Sequence, residues 1–196
     1  MQYPTSGQRN NTMLDSFADS KQCLQELVSI CNFDLVDGPY ITGSLLTHTL
    51  EDNPNWIPND IDIVCRTGFQ FRSIVNKFKN VGYDREEHEM FSIKLHKKHN
   101  RIQFIIHDLT AADRVKWADL TLCAICSNGN NYIMSDETAD DIKNKLMKEN
   151  NGNLLNLSDP KFQLDKIGRY QKYIDRGYQD INNSLYNRLI YETCTN

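Results

Sequence analysis

The sequence predicts an α+β fold, a mixed sheet with helices on one face and at the C-terminal end, and three observations carry that prediction. Ile61 and Ile63 alternate with Asp60 and Asp62 at the two-residue period of a half-buried strand. Phe71, Ile74, Val75, Phe78 and Val81 recur at the three-and-four spacing of an amphipathic helix closed by Gly82. The order along the chain is a helix, then strands with one crossover, then helices, with no internal repeat. A length of 196 residues fits one compact domain, or a core with a small helical appendage.

Taken in order, residues 1–12 are polar, carry Pro4 and Gly7, and read as a frayed arm. An amphipathic helix follows over residues 14–31. Gly38-Pro39 turns into a short strand at Tyr40-Ile41-Thr42, which ends at Gly43-Ser44, where residues 45–50 open a helix. Pro54 and Pro58 make residues 51–58 a loop leading into the Ile61/Ile63 strand. The helix ending at Val81 has the look of a strand-to-strand crossover. Apolar runs at 91–95 and 102–106 flank the basic turn Lys97-Lys98-His99-Asn100, the pattern of a hairpin, and a third run at 118–126 continues the sheet. After a turn at 127–131, Tyr132-Ile133-Met134 precedes a helix capped by Ser135 or Asp136 and running to about Met147. Asp159-Pro160 starts a helix that stops at Gly177, and a final helix covers residues 181–191. The division that results is an arm (1–12), a core (13–150) and a C-terminal helical segment packed on it (151–196).

Composition narrows the function classes. With 39% hydrophobic and 24% charged residues the chain is neither disordered nor fibrous. It has no apolar run near the roughly 20 residues that span a bilayer, and its polar N-terminus lacks the apolar core of a leader, so a cytosolic compartment without membrane partners is expected. A net charge of −4 argues against a protein that coats nucleic acid through bulk electrostatics, although a local basic patch remains compatible with it. The six cysteines read as reduced thiols; Cys123-Ala124-Ile125-Cys126 has CxxC spacing but no second pair, and lies in an apolar run. The five histidines show no HxxxH spacing for zinc hydrolysis.

Chemistry concentrates at two motifs. Strand alternation sets Asp60 and Asp62 side by side on one face, where their carboxylates can ligate hard cations such as Mg²⁺. Two such ions clamp the attacking and leaving oxygens of an in-line displacement at phosphorus. Gly43-Ser44 at a helix start suits a polyphosphate: glycine admits close backbone approach, while the hydroxyl and free N–H groups bind its oxygens.

The segment Ile41-Thr42-Gly43-Ser44 followed by Asp60-Ile61-Asp62-Ile63 resembles the hG[GS]…[DE]h[DE]h signature of the DNA polymerase beta-like nucleotidyltransferase superfamily. Ile102 to Ile106, Ala118 to Cys123, and Arg169-Tyr170-Gln171-Lys172-Tyr173 with Arg176-Gly177-Tyr178 are similar to small standalone members found in large DNA viruses and phages. The resemblance implies a minimal polymerase beta-like palm, a mixed sheet with helices, plus C-terminal helices. It also implies transfer of a nucleoside monophosphate from an NTP such as ATP, with Mg²⁺ or Mn²⁺, to an RNA, protein or small-molecule acceptor in the cytoplasm, that of a host if the chain is viral. Asp60 and Asp62 would bind the metal and catalyse, and Gly43 and Ser44 would hold the triphosphate.

Two departures accompany the match. Fifteen residues, 45–59, separate the motifs, a length that a Pro-rich loop absorbs at small entropic cost. The third acid that the superfamily draws from a later strand is replaced by Gln103, so Asp119, or else Asp108, takes that role, or the chemistry is slow or absent. Asp119 is the assignment made here. The alternative function is an inactive relative that binds nucleotide or a partner protein. Lys166, Arg169, Lys172 and Arg176 recur on one side of a helix, where they would grip a triphosphate or RNA, and Tyr170, Tyr173 and Tyr178 would stack on a base.

Overall fold

The computed structural model describes residues 19–52, 54–97, 100–150 and 160–181, without the side chains of residue 100 and residues 160–166. The expected arm, residues 14–18 of the first helix and all but residue 181 of the last helix lie outside the described residues.

Helix α1 (Ser20–Ile30) is capped by Asp19, whose carboxylate accepts the Gln22 N–H at 3.0 Å. A turn containing a cis Gly38–Pro39 bond delivers β1 (Tyr40–Thr42), and α2 (Ser44–Leu50) follows at once. Strand β2 (Ile61–Cys65) leads into α3 (Gly68–Asn80), which is fixed by a reciprocal capping box between Thr67 and Gln70. Then come β3 (Arg85–Glu89), β4 (Ser92–Lys97), β5 (Asn100–Ile106) and the short α4 (Ala111–Lys116). A 3₁₀ turn (Thr121–Cys123), β6 (Ile125–Ser127), β7 (Tyr132–Met134), α5 (Asp136–Lys143), β8 (Leu146–Met147), α6 (Pro160–Asp175) and β9 (Gln179–Asp180) complete the order.

Seven strands form one mixed sheet in the order β3-β4-β5-β2-β1-β6-β7, while β8 and β9 pair in a separate ribbon. Only the β2–β5 pair of the large sheet is parallel. The α+β class, the β4–β5 hairpin and the crossover helix match expectation, and two details do not. Helix α3 links β2 to β3, which lie in the same sheet with β5 and β4 between them. Residues 118–126 are not one strand: Leu120 makes an isolated bridge to Glu149, a 3₁₀ turn interrupts the run, and pairing in the large sheet begins at Ile125. Ser135 does cap α5, with Oγ accepting the Thr138 N–H at 3.1 Å, but the helix ends at Lys143 and Lys145 takes a positive φ of 53°.

Strand alternation divides the sheet chemically. Ile41, Ile61, Ile63, Leu95, Phe104 and Ile125 point to one face and are fully buried against Leu24 of α1, Leu45 of α2 and Phe78 of α3. Each such side chain contributes about 2 kcal/mol through removal from water. The alternate residues Thr42, Asp62 and Gln103 lie on the opposite face, in register across β1, β2 and β5. A second cluster of Leu122, Ile142, Met147, Tyr170, Tyr173 and Tyr178 ties α6 to α5 and the 3₁₀ turn. No helix among the described residues is long and apolar enough to cross a membrane.

His48 of α2 links α1 to the loop before β2. Its Nε2 lies 2.8 Å from the Trp56 carbonyl oxygen, which can only accept, so Nε2 carries the proton and Nδ1 accepts the Ser20 hydroxyl at 2.7 Å. Burial holds its pKa below the ordinary 6.5, against the raising influence of the Trp56 carbonyl, Glu51 and Asp19, and Arg176 adds to the depression. Acid therefore favours the unfolded chain at this site. The stability carried by neutral His48 is complete above about pH 6.5 and is lost as pH falls through the folded pKa. Thermal melts at about pH 7.5 and about pH 5 should show a smaller acid-induced loss for His48→Gln than for wild type.

Candidate active site

The site grows from the β1–α2 turn. Gly43 adopts φ +85° and ψ −164°, a region closed to side chains, and a Cβ placed there would lie 2.2 Å from Asp62 Oδ2. The turn thus packs its backbone directly on the Asp62 carboxylate. Ser44 is 5% exposed, and its Oγ has no hydrogen-bond partner among the described residues, a costly state for a buried hydroxyl unless a ligand or water supplies one.

Strand β2 brings the acids. Asp60 just precedes it and Asp62 is its second residue. Thr42 of β1 and Gln103 of β5 sit opposite Asp62 on either side. Burial first, and the charge of Asp60 second, hold the Asp62 carboxyl well above the usual carboxylate range, while Lys172, Arg114 and Arg169 pull it back. Asp60 is 2.7 Å from Arg101 Nη2 of β5. Gln103 Nε2 donates to Ser92 Oγ at 3.2 Å, so the residue in the third-acid position is an uncharged amide tied to β4.

Asp60, Asp62, Gly43, Ser44, Asp119, Arg169 and Lys172 all line one cleft of about 610 Å³, together with Thr42, Gln103, Arg114 and Trp117. Asp119 reaches it from the segment before the 3₁₀ turn, not from a strand as expected. It is buried, ion-paired with Arg169, and accepts the Leu120 N–H at 3.0 Å. Asp108, the other acid considered for the third place, is exposed on an ion pair with Arg66 at 2.9 Å, and is absent from the cleft lining. Lys172 and Arg114 have no carboxylate partner among the described residues, and burial lowers the Lys172 pKa, aided by the charge of Arg176.

Arg176 is not part of this lining. It is 6% exposed, with its guanidinium stacked 3.6 Å from the Trp56 ring centroid and 5.2 Å from that of Tyr173. The expected stacking tyrosines are inside as well: Tyr170, Tyr173 and Tyr178 are 5%, 2% and 2% exposed, because the helix that carries them turns that side to the second cluster. Cys123 Sγ donates to Tyr173 Oη at 3.5 Å, whereas Cys126 faces the cluster of Tyr40 and Val64. Residues that the sequence reading missed are Arg101, Arg114 and Trp117. A signal existed for the last two: Thr110 Oγ1 accepts the Asp113 N–H at 3.1 Å, a Thr-x-x-Asp helix start that sets α4 over the cleft.

The donor set suits Mg²⁺ or Mn²⁺ held partly by substrate. Among the described residues no group of three or more His, Cys, Asp and Glu is gathered to hold an ion. Mg²⁺ commonly takes one or two carboxylates and fills its shell from phosphate oxygens and water. A cation between Asp60 and Asp62 would relieve the repulsion that raises the Asp62 pKa.

No protein-family model matches the chain, and no curated protein matches it either. Solved structures do. A CCA-adding enzyme in its apo form I aligns with TM-score 0.58 and 19% identity over 88% of this chain and 41% of its own. The Thermotoga maritima CCA-adding enzyme complexed with tRNA aligns with TM-score 0.54 and 20% identity over 79% and 38%. A CCA-adding enzyme complexed with ATP gives 0.55 and 20% over 76% and 37%. This chain spans about two-fifths of the length of those proteins. At such identity the likeness speaks for architecture: the chain has the mixed α+β nucleotidyltransferase fold seen in CCA-adding enzymes.

Proposed function

We propose that this protein is a metal-dependent nucleotidyltransferase that moves a nucleoside monophosphate from an NTP to a hydroxyl acceptor. The observation that carries the reading is a convergence in one cleft. Asp60 and Asp62 face the same space as the Ser44 Oγ, without a hydrogen-bond partner among the described residues, and the cations Lys172 and Arg114, without a carboxylate partner among them. Asp60 and Asp62 would hold Mg²⁺ or Mn²⁺, which supplies Lewis-acid charge to the reacting phosphate. Ser44 Oγ donates to a phosphate oxygen, and Gly43 keeps the backbone low enough for that approach. Lys172, Arg114 and Arg169 neutralise the triphosphate, with Asp119 holding Arg169 at the cleft rim. The acceptor oxygen bonds to the α-phosphorus, the bond to pyrophosphate breaks, and the hydroxyl proton passes to water. Asp119 is thereby a positioning group for Arg169 rather than a third metal ligand, since among the described residues no third carboxylate gathers with Asp60 and Asp62 to hold an ion.

The nucleotidyltransferase fold and the neighbours solved with ATP and with tRNA support an NTP substrate and make RNA the first acceptor to test. A second reading rests on Gln103 opposite Asp62: a two-acid site that binds NTP without transferring it. Incubation with each labelled NTP, Mg²⁺ or Mn²⁺, and pooled RNA and protein acceptors separates them. Label transfer by wild type, lost in Asp60→Ala/Asp62→Ala, is expected. Equal labelling by both, or none by either, sinks the enzyme, and NTP binding without transfer selects the second reading.

A further inference from the structure

The cleft lining carries two kinds of side chain. Ser44, Asp60, Asp62, Arg114, Lys172 and Arg169 suit a phosphate, while Trp117, Ala118 and Ile105 are apolar. Trp117 follows α4, whose Ala111 and Val115 anchor it to the Tyr40, Val64 and Cys126 cluster. That anchoring leaves Arg114 and Trp117, three residues apart and so on one side of the helix, at the cleft. Trp117 is nonetheless 65% exposed, whereas Tyr173, the other aromatic lining residue, is buried on the second cluster. An indole that stays in water while lining a cleft equipped for phosphate is an uncovered stacking surface for the base of a nucleotide held there. Arg114 beside it adds a cation without a carboxylate partner among the described residues.

Building on the nucleotide-site reading above, we infer that Trp117 is the platform on which the base of the incoming NTP stacks. Stacking on an aromatic face is tolerant of base identity, so the platform strengthens binding of all four NTPs and leaves their discrimination to other contacts. The position is exposed at the end of a helix, so its replacement leaves the fold intact.

Isothermal titration of wild type, Trp117→Ala and Trp117→Phe, each with Mg²⁺ and either NTP or inorganic tripolyphosphate, tests the assignment. Trp117→Ala should weaken NTP binding about tenfold and leave tripolyphosphate affinity unchanged, with Trp117→Phe recovering most of the loss. Indole emission should be quenched by NTP and not by tripolyphosphate. Tripolyphosphate binding with NTP affinity equal in wild type and Trp117→Ala overturns the platform while leaving the phosphate site standing. Quenching by a short RNA oligonucleotide alone, with NTP affinity unchanged, overturns it in favour of an acceptor base. If wild type binds neither ligand, the nucleotide-site reading fails, and the platform with it.

Discussion

Gly43→Ala should cut nucleotidyl transfer by about a hundredfold or more while the protein still folds. Two separate effects act at this position. The backbone conformation at φ +85° costs any L side chain about 1 to 3 kcal/mol. The new methyl also meets Asp62, with Oδ2 at 2.2 Å, Cγ at 3.1 Å and Cβ at 3.3 Å. Asp62 sits within β2, held between β1 and β5, so its short side chain has to rotate off the cleft instead of yielding by a few tenths of an ångström. Displacement of that size takes the carboxylate proposed to bind metal out of its working geometry. Calorimetric Mn²⁺ titration should show the weakened site directly. In Gly43→Ala/Asp62→Ala the contacts with Oδ2 and Cγ disappear and with them most of the steric part of the stability loss, the backbone part stays, and activity does not return. If Gly43→Ala keeps wild-type Mn²⁺ affinity and turnover, the close packing of turn and acid has no functional weight.

Glu51→Ala should lower stability by about 3 kcal/mol, seen as a drop of roughly 10 °C in melting temperature. Glu51 is 6% exposed at the end of α2, and its Oε2 accepts both Trp56 Nε1–H at 2.9 Å and the Tyr178 hydroxyl at 3.0 Å. Its Oε1 lies 2.6 Å from Lys145 Nζ. Burial and the neighbouring Glu51 charge both hold the Tyr178 pKa far above the ordinary range, so the phenol remains a donor. Removing the carboxylate strands the buried Tyr178 hydroxyl and the half-buried Trp56 N–H, and the groups it joins belong to elements that build the cleft. Helix α2 carries Ser44, Trp56 lies on the loop that delivers Asp60, and Tyr178 follows the helix that bears Arg169 and Lys172. Glu51→Gln, which keeps an acceptor oxygen in place, should recover more than half of the loss. Equal melting temperatures for Glu51→Ala and wild type would mean that Lys145 and water replace the network at no cost.

Some of this was legible in advance because it depends on local pattern. The Asp60/Asp62 pair announced itself through its alternation with Ile61 and Ile63, and α3 through apolar spacing, since both periods are set by backbone geometry within a few residues. Strand β3 was not legible. Arg85-Glu86-Glu87-His88-Glu89 is polar on both faces, as an edge strand can be, and it is held by pairing to β4 alone. The basic row on α6 shows where pattern stops. Spacing grouped Arg169, Lys172 and Arg176, yet only the first two reach the cleft while the third stacks on Trp56.

By itself the sequence determined the α+β class, the strand that sets two carboxylates on one face, and the Gly-Ser turn that precedes it. Those follow from short-range periodicity and from the conformations that glycine alone adopts. Only the tertiary structure decided which charges are free to act. It paired Asp119 with Arg169 and Asp60 with Arg101, left Lys172 and Arg114 without carboxylate partners among the described residues, buried the tyrosines and left Trp117 at the cleft. The physical reason is that a charge or an aromatic ring is defined functionally by what neutralises or covers it, and those partners lie far away along the chain, as Glu51 and Tyr178 do at a separation of 127 residues.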